Sequence, residues 1–368
     1  MDLFELLGNM VVNQASDLFI SVDSPPLIKV EGELRPIKPE PLTSKENHDL
    51  IYSILDEGQI AEFKANLELN AALKLERIGQ FRINVFQQCG EPAMVIRYVK
   101  KHIPSIEDLG LPKMLKDIIM LERGLVLLVG ATGTGKSTTL ASMIDYRNQN
   151  QSGHILTIED PIEFVHKNKK SLVNQREVGV DTNSYEIALK NAMREAPDVI
   201  LIGEIRDKET MKHALSYAET GHLCLATLHA SNATQALERV VNFFPEDAHK
   251  IILQDLASNL RAIIAQRLCV GIEEKRVAAV EIMNNTPFIQ KLIEKDRVSE
   301  IRDAMSSEKS QINRTFDEAL YELVANGKIS REEALQKADS ENNLRVKFRL
   351  EDGGRLDSSK VDTRIRME

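Results

Sequence analysis

Eight residues, Gly130-Ala131-Thr132-Gly133-Thr134-Gly135-Lys136-Ser137, set three glycines, a lysine and a hydroxyl in the spacing G-x-x-x-x-G-K-S. Glycine is needed at 130, 133 and 135 because main-chain N–H groups turned inward must approach phosphate oxygens, and a Cβ would obstruct them. Lys136 then reaches the β- and γ-phosphates, and the Ser137 hydroxyl ligates Mg²⁺. With Thr138, the whole stretch is expected to hold ATP. An apolar run, Leu125 to Val129, leads in, and a helix-compatible segment from Ser137 to Ile144 leads out, so the strand, loop and helix context of the motif is present. A glycine-rich turn that merely joins strand to helix is the alternative, and the flanks weigh against it.

Carboxylates follow at the ends of two further apolar strands. His154 to Ile158 runs into Glu159-Asp160-Pro161-Ile162-Glu163, an acidic turn at a strand's carboxyl end, where ligands of parallel α/β sheets sit. One of these acids would orient or deprotonate the water that attacks a γ-phosphate, the alternative being capping of the next segment. Asp198-Val199-Ile200-Leu201-Ile202-Gly203-Glu204 reads as a strand buried on both faces with an acid just past its end, the Walker B arrangement, so Glu204 is expected to serve Mg²⁺. Arg206 and Asp207 come next, and Arg206 is placed to link Glu204 to a neighbour. Leu223 to Leu228 is a third such strand, opened by His222 and closed by His229. His222 reads as structural, while His229 stands where a γ-phosphate sensor would be useful.

The elements that must carry these residues alternate strand and helix from residue 111 to 270. Helical stripes are expected at Met114 to Leu121, Ser184 to Ala196 and Met211 to Ala218, and a longer helix at Ile252, Leu256, Leu260 and Ile263, with Arg261 and Arg267 as surface or interface charges. The first hundred residues read instead as a small α+β domain. Its Thr43 and Glu46 form a capping box ahead of a helix, and Phe81 to Phe86 with Met94 to Val99 form a hairpin around Gln88-Cys89-Gly90-Glu91. The register that buries Phe81 with Tyr98, Ile83 with Ile96 and Val85 with Met94 puts Arg82 opposite Arg97. Like charges so opposed call for an anion near them, unless both are simply solvated.

Short helices are expected around Leu292 to Met305 and at Phe316 to Leu323, and Ser330 with Glu333 caps another. Leu344, Val346, Phe348 and Leu350 alternate with basic residues as a strand or extended segment would, and the polar residues beyond Asp352 read as a tail. The expected organisation is an N-terminal domain over 1–100, a linker over 101–112, an ATPase domain with a helical C-terminal part over 113–351, and the tail over 352–368.

Composition sets bounds on function. The 368 residues are 42% hydrophobic and 28% charged with a net charge of −9. That is an ordinary globular balance, and it argues against broad nucleic-acid binding. No apolar run nears the roughly 20 residues that span a bilayer, and the N-terminus lacks a basic signal start, so a cytoplasmic location is expected. Cys89, Cys224 and Cys269 are too scattered for a zinc site or disulfide framework and read as reduced packing residues.

Taken together, the loop at 130–137, the acidic segment Ile155 to His166, the Pro197 to Asp207 strand and the Ala218 to His229 segment resemble the four ordered motifs of the secretion ATPase superfamily. Within it the chain is most similar to the PilT/PilU-type retraction ATPases of type IV pili. Ala15-Ser16-Asp17-Leu18 with Pro25-Pro26 is similar as well. The resemblance implies a PAS-like α+β N-terminal domain followed by a RecA-like P-loop domain with C-terminal helices. It implies Glu163 as general base, with Glu159 the alternative, Glu204 as the Mg²⁺-associated glutamate beside Ser137, and Arg82 and Arg97 as arginines given in trans to a neighbour's nucleotide. Hexamers follow from the same likeness, at the cytoplasmic face of the inner membrane with the pilus platform protein.

One departure refines it. Where PilT-type motors carry an Ala-Ile-Arg-Asn-Leu-Ile-like motif, this chain has Phe288-Ile289-Gln290-Lys291-Leu292-Ile293, and its Gly-Ala-Thr-Gly opening is closer to the PilU side. The resemblance therefore implies an accessory retraction ATPase working with a PilT-type motor. An autonomous retraction motor, a nucleic-acid translocase on the same core and a non-hydrolysing adaptor are the rival readings. An assembly or type II secretion ATPase would carry a tetracysteine insertion that this sequence lacks.

Overall fold

The computed structural model describes residues 2–30, 32–75, 78–99, 102–273, 275–307 and 312–353. Its contacts divide the chain into two compact units, Met1–Ile103 with Gln151–Pro197, and Pro104–Asn150 with Asp198–Glu368.

The first unit opens with helix α1 (Leu3–Val12), capped by Asp2, and continues through β1 (Asp17–Ile20), β2 (Leu27–Val30), β3 (Glu33–Pro36), α2 (Ser44–Tyr52), α3 (Glu57–Asn66), β4 (Glu68–Leu75), β5 (Gly79–Gln88) and β6 (Glu91–Val99). The expected Thr43 and Glu46 capping box starts α2. The strands form one sheet in the order β3-β2-β1-β6-β5-β4, every pairing antiparallel. Leu6, Leu7 and Met10 of α1, Ile51 of α2 and Phe63 of α3 cover the sheet residues Leu18, Phe81, Ile83 and Ile96. The hairpin register is the expected one, with Phe81 opposite Tyr98, Arg82 opposite Arg97, Ile83 opposite Ile96 and Val85 opposite Met94. Its turn is tighter than the four residues suggested. Gln88 and Glu91 close the ladder and only Cys89 and Gly90 turn, both left-handed at φ 51° and 85°. Cys89 is exposed there, contrary to the packing role expected of it, whereas Cys224 and Cys269 are buried.

Next in the chain come three elements of the second unit, α4 (Met114–Ile119), β7 (Gly124–Val129) and α5 (Lys136–Asn150), before the first unit resumes with β8 (Gly153–Glu159), β9 (Ser171–Glu177) and α6 (Tyr185–Ala192). β8 and β9 pair in parallel from Gly153 with Ser171 to Glu159 with Glu177.

The rest of the second unit is β10 (Val199–Ile202), α7 (Lys208–Glu219), β11 (Leu223–Leu228), α8 (Ala233–Asn242), α9 (His249–Asn259), β12 (Leu260–Val270), β13 (Arg276–Asn284), α10 (Pro287–Glu294), α11 (Ile301–Ser307), α12 (Phe316–Ala325), α13 (Arg331–Lys337) and α14 (Glu341–Gly353). Five of its strands lie in the order β13-β12-β7-β11-β10. β12, β7, β11 and β10 run parallel and β13 returns antiparallel to β12. Every residue of β7, β10 and β11 is buried, which explains why their sequences are apolar runs, broken only by Gly124 and Thr227, rather than alternations.

Two expected elements change type. The helix read through Ile263 stops at Asn259, because Ala262 to Ala265 pair with β7 on one side and β13 on the other. Leu260 and Ile263 fit a helical stripe as well as a strand, so spacing alone could not separate them. The alternating segment at 344–350 is helical in α14, where Leu344 and Phe348, four apart, are buried and the Phe348 ring stacks on Tyr321. The tail expected beyond 352 lies, from residue 354, outside the described residues. Among the described residues no helix is long and apolar enough to cross a membrane.

Candidate nucleotide site

Three adjacent parallel strands of the second unit end within two residues of one level. Val129 of β7 pairs with Leu228 of β11, and Ala226 pairs with Ile202 of β10. The next residues along each chain are therefore Gly130, His229 and Gly203-Glu204, brought to one edge of the sheet from positions up to 99 residues apart in the chain.

The loop after β7 wraps its own lysine. Lys136 Nζ donates to the carbonyls of Gly130 (2.8 Å) and Ala131 (2.9 Å), and Thr134 Oγ1 donates to the Ala131 carbonyl (2.9 Å). Gly130 is required sterically, since a Cβ there would lie 2.6 Å from Thr134 Oγ1 and 2.7 Å from the Gln266 carbonyl oxygen. Gly133 is required conformationally. Its φ is +78° and nothing lies within 4 Å of where a Cβ would stand. Helix α5 starts at Lys136, so the N–H groups of its first turn and the positive end of its dipole meet the loop. A cradle kept open by glycine, a lysine at its centre and a helix N-terminus behind it fit a triphosphate.

Gln266, 3% exposed on β12, braces this loop from the side. Its Nε2 donates to the Thr134 carbonyl (2.8 Å), and its Oε1 accepts from Thr139 Oγ1 (2.8 Å) in the first turn of α5. Reading residues 252–263 as one long helix hid this residue. A polar side chain within the apolar run Ala262 to Ala265 and Leu268 was the signal that could have found it.

At the neighbouring strand ends, Thr227 Oγ1 donates to the Gly203 carbonyl (2.5 Å) and Ile205 N–H to the Thr227 carbonyl (2.9 Å), fixing the turn that carries Glu204 against β11. Glu204 then lies 3.0 Å from His229 Nε2 through Oε1 and accepts from Arg206 Nε through Oε2 at 2.6 Å. The sequence already set Arg206 beside Glu204, and the fold adds His229 to the pair. Ser137 and Glu204 supply oxygen donors of the kind Mg²⁺ takes. Among the described residues there is no cluster of three His, Cys, Asp or Glu that would hold a metal by itself. His222 turns instead to its own chain, its Nδ1 3.2 Å from the Tyr217 carbonyl.

The other expected site residues belong to the first unit. Arg82 donates to the Ile162 carbonyl and, at 3.2 Å, to Glu177, whose carboxylate also accepts the Ile162 N–H at 3.0 Å. Burial lowers the Arg82 pKa, opposed by Glu177, and raises that of Glu177, opposed by Arg82. Arg97 pairs with Asp17 at 2.7 Å and keeps 64% of its side chain exposed. Each of the opposed arginines therefore has a carboxylate of its own chain as counter-ion. Glu177, which sequence reasoning did not single out, holds the backbone immediately before Glu163. Glu163 itself is exposed, whereas burial pushes Glu159 up to about 7 despite hydrogen bonds from Thr157 (2.7 Å) and Gln175 (3.1 Å).

The profile of the family described as Type II/IV secretion system protein matches residues 2–357. The chain belongs to that family. Within it, the chain is 48% identical over 351 residues to the Type IV pilus ATPase PilU of Pseudomonas aeruginosa, covering 95% of this chain and 92% of the relative. It is 45% identical over 338 residues to the Type IV pilus retractation ATPase PilT of the same organism, covering 92% and 98%. A crystal structure of the pilus retraction motor PilT with bound ADP matches with a TM-score of 0.87 at 38% identity over 92% of this chain and 98% of that one. The α/β class, with a strand-rich N-terminal part ahead of the P-loop sheet, is thus the family's fold.

Proposed function

We propose that this chain is a MgATP-hydrolysing motor of type IV pilus retraction, active as a homo-hexamer at the cytoplasmic face of the inner membrane and working beside a PilT-type motor. The observation that carries the reading is the common edge formed by the 130–138 loop, Glu204 and His229. Likeness to PilU and PilT over more than nine-tenths of the chain supports the pilus as the object of the work.

In this mechanism residues 130–138 bind the β- and γ-phosphates through main-chain N–H groups and the Lys136 ammonium. Ser137, and Glu204 directly or through water, would hold Mg²⁺, which would supply neutralisation of phosphate charge. Glu204 orients the His229 ring, which faces the γ-phosphate. Glu163, exposed beside the half-buried Glu159, takes the proton of the attacking water. Arg97, the more accessible of the opposed arginines, and Arg82 serve the nucleotide of an adjacent subunit. Such a trans arginine is worth about 10³–10⁵ in rate, which would confine activity to the assembled ring.

The test is pilus retraction with Lys136→Ala, in cells with and without an active PilT-type motor. Retraction is expected to fall when the partner motor is catalytically dead. Unchanged retraction in that background sinks the motor reading, and full retraction by this chain alone favours an autonomous motor. For the trans arginines, mixing Arg97→Ala subunits with Lys136→Ala subunits restores ATP turnover, and no recovery refutes the shared site.

A further inference from the structure

Gln266 and Arg267 are consecutive on β12, so their side chains leave opposite faces of the sheet. Gln266 reaches the phosphate loop, grasping Thr134 and Thr139 on either side of Lys136 and Ser137. Arg267 reaches the segment that follows His229. It donates to the Ser231 carbonyl (3.0 Å), to the Lys337 carbonyl (2.6 Å) and to Asp339 (2.5 Å), and its guanidinium lies 3.8 Å from the centre of the Phe316 ring. The sequence alone suggests a surface or interface charge for Arg267. In the fold only 19% of its side chain is exposed, and it is committed to partners from three places in the chain.

Pairing fixes both residues in space. Gln266 lies opposite Val280 and Arg267 opposite Ala279 of β13, while Ala265 pairs with Val129, the last residue before the loop. A shift of β12 along β7 would therefore move the brace on the loop and the anchor on the His229 segment together. Glu281, also on β13, accepts the Ala233 N–H (2.8 Å) and the Phe316 N–H (3.3 Å) and so ties the same His229 segment to the start of α12.

We propose that Gln266 and Arg267 are a pair of positioning residues for ATP hydrolysis, Gln266 setting the phosphate cradle and Arg267 setting His229 and joining it to the C-terminal helices. The proposal rests on the reading of residues 130–138 as the cradle and of Glu204 with His229 as the groups that face it. A brace on the cradle acts on ground state and transition state alike, so its loss appears in KM. An anchor for the group that meets the γ-phosphate acts on the transition state, so its loss appears in kcat.

The experiment measures steady-state MgATP hydrolysis by the full-length oligomer carrying Gln266→Leu, Thr139→Val, Arg267→Lys or Arg267→Gln, with melting temperatures alongside. Thr139→Val removes one partner of Gln266 without altering β12, so it reports on the brace even if Gln266→Leu folds poorly. Gln266→Leu and Thr139→Val are expected to raise KM about tenfold with kcat within about threefold. Arg267→Gln is expected to lower kcat about tenfold or more at unchanged KM, and Arg267→Lys, which keeps the charge but not the fork, to fall between. Hydrogen exchange of residues 315–340 is expected to slow on adding MgADP in the native protein and not in Arg267→Gln. If both constants move together in every variant, if neither moves, or if exchange in Arg267→Gln responds to MgADP as the native does, the assignment is wrong. A native oligomer that does not hydrolyse MgATP would instead overturn the reading of the site beneath it.

Discussion

Glu281 should make the folded chain lose stability as the pH rises toward neutrality. It is 3% exposed, and burial pushes its carboxyl from the usual 4.5 up to about 7, with the N–H groups of Ala233 and Phe316 opposing and Asp339 adding to the shift. Between those two values the folded chain binds a proton that the unfolded chain has released. Stability therefore falls with rising pH across the window, the contribution being complete below 4.5 and gone above about 7. A displacement from 4.5 to about 7 is worth about 3 kcal/mol in full, and about 2.5 kcal/mol of it falls between roughly pH 5 and pH 8. Glu159 carries a shift of the same sign, so the native protein alone does not isolate Glu281. Glu281→Gln does not titrate and retains one acceptor for the two N–H groups. Urea unfolding of both proteins across that range should show the native losing about 2.5 kcal/mol relative to the variant as the pH rises. A difference constant to within about 0.5 kcal/mol, or one that changes in the native protein's favour, refutes the reasoning.

Gly130→Ala should destabilise by about 1–3 kcal/mol and weaken MgATP binding more than tenfold, because its Cβ meets the Gln266 carbonyl. Gly133→Ala, with open space around the new atom, should cost only the strain of φ +78°, about 1–2 kcal/mol; melting and nucleotide titration compare the two, and a reversed order of binding loss contradicts the cradle geometry. Glu204→Gln keeps the shape beside His229 and removes the charge, so MgATP should still bind while turnover drops about 10²-fold. Turnover within a factor of about two of native would remove Glu204 from the chemistry. Glu177→Gln leaves a mostly covered Arg82 without its counter-ion and should lower stability by about 3 kcal/mol, read as a fall in the melting temperature, with no change at all arguing that the pair is not maintained.

The residues at the strand ends were easier to find in the sequence than the residues that support them. The phosphate loop, Glu204 and His229 were legible because each stands at the end of an almost wholly apolar run, the pattern of a strand buried on both faces. The hairpin register was legible for the complementary reason, that one residue of slip would expose Phe81, Ile83 and Val85 together. Gln266 and Arg267 were hidden where Leu260 and Ile263 satisfy both the helical and the strand period, and the decision rested with pairing partners more than a hundred residues away in β7. Glu177 and Glu281 were hidden because a buried acid is recognisable only by the N–H groups it accepts. Asp17 and Glu177 likewise answer the opposed arginines from 80 and 95 residues away, a distance across which local pattern carries no information.

β12 is made long after the strand it completes. A nascent chain that has emerged as far as His229 holds the phosphate loop, Glu204 and every motif by which the site is recognised. Yet β7, with all six residues apolar or glycine and meant for burial, still shows an unpaired edge on the side where β12 belongs. Such an edge is a template for wrong partners, in another chain or in the same one. The order of synthesis therefore leaves the first recognisable part of the enzyme waiting on residues 260–270 for protection, and it makes the interval between them the stretch of translation in which a holdase or a slow codon would matter most.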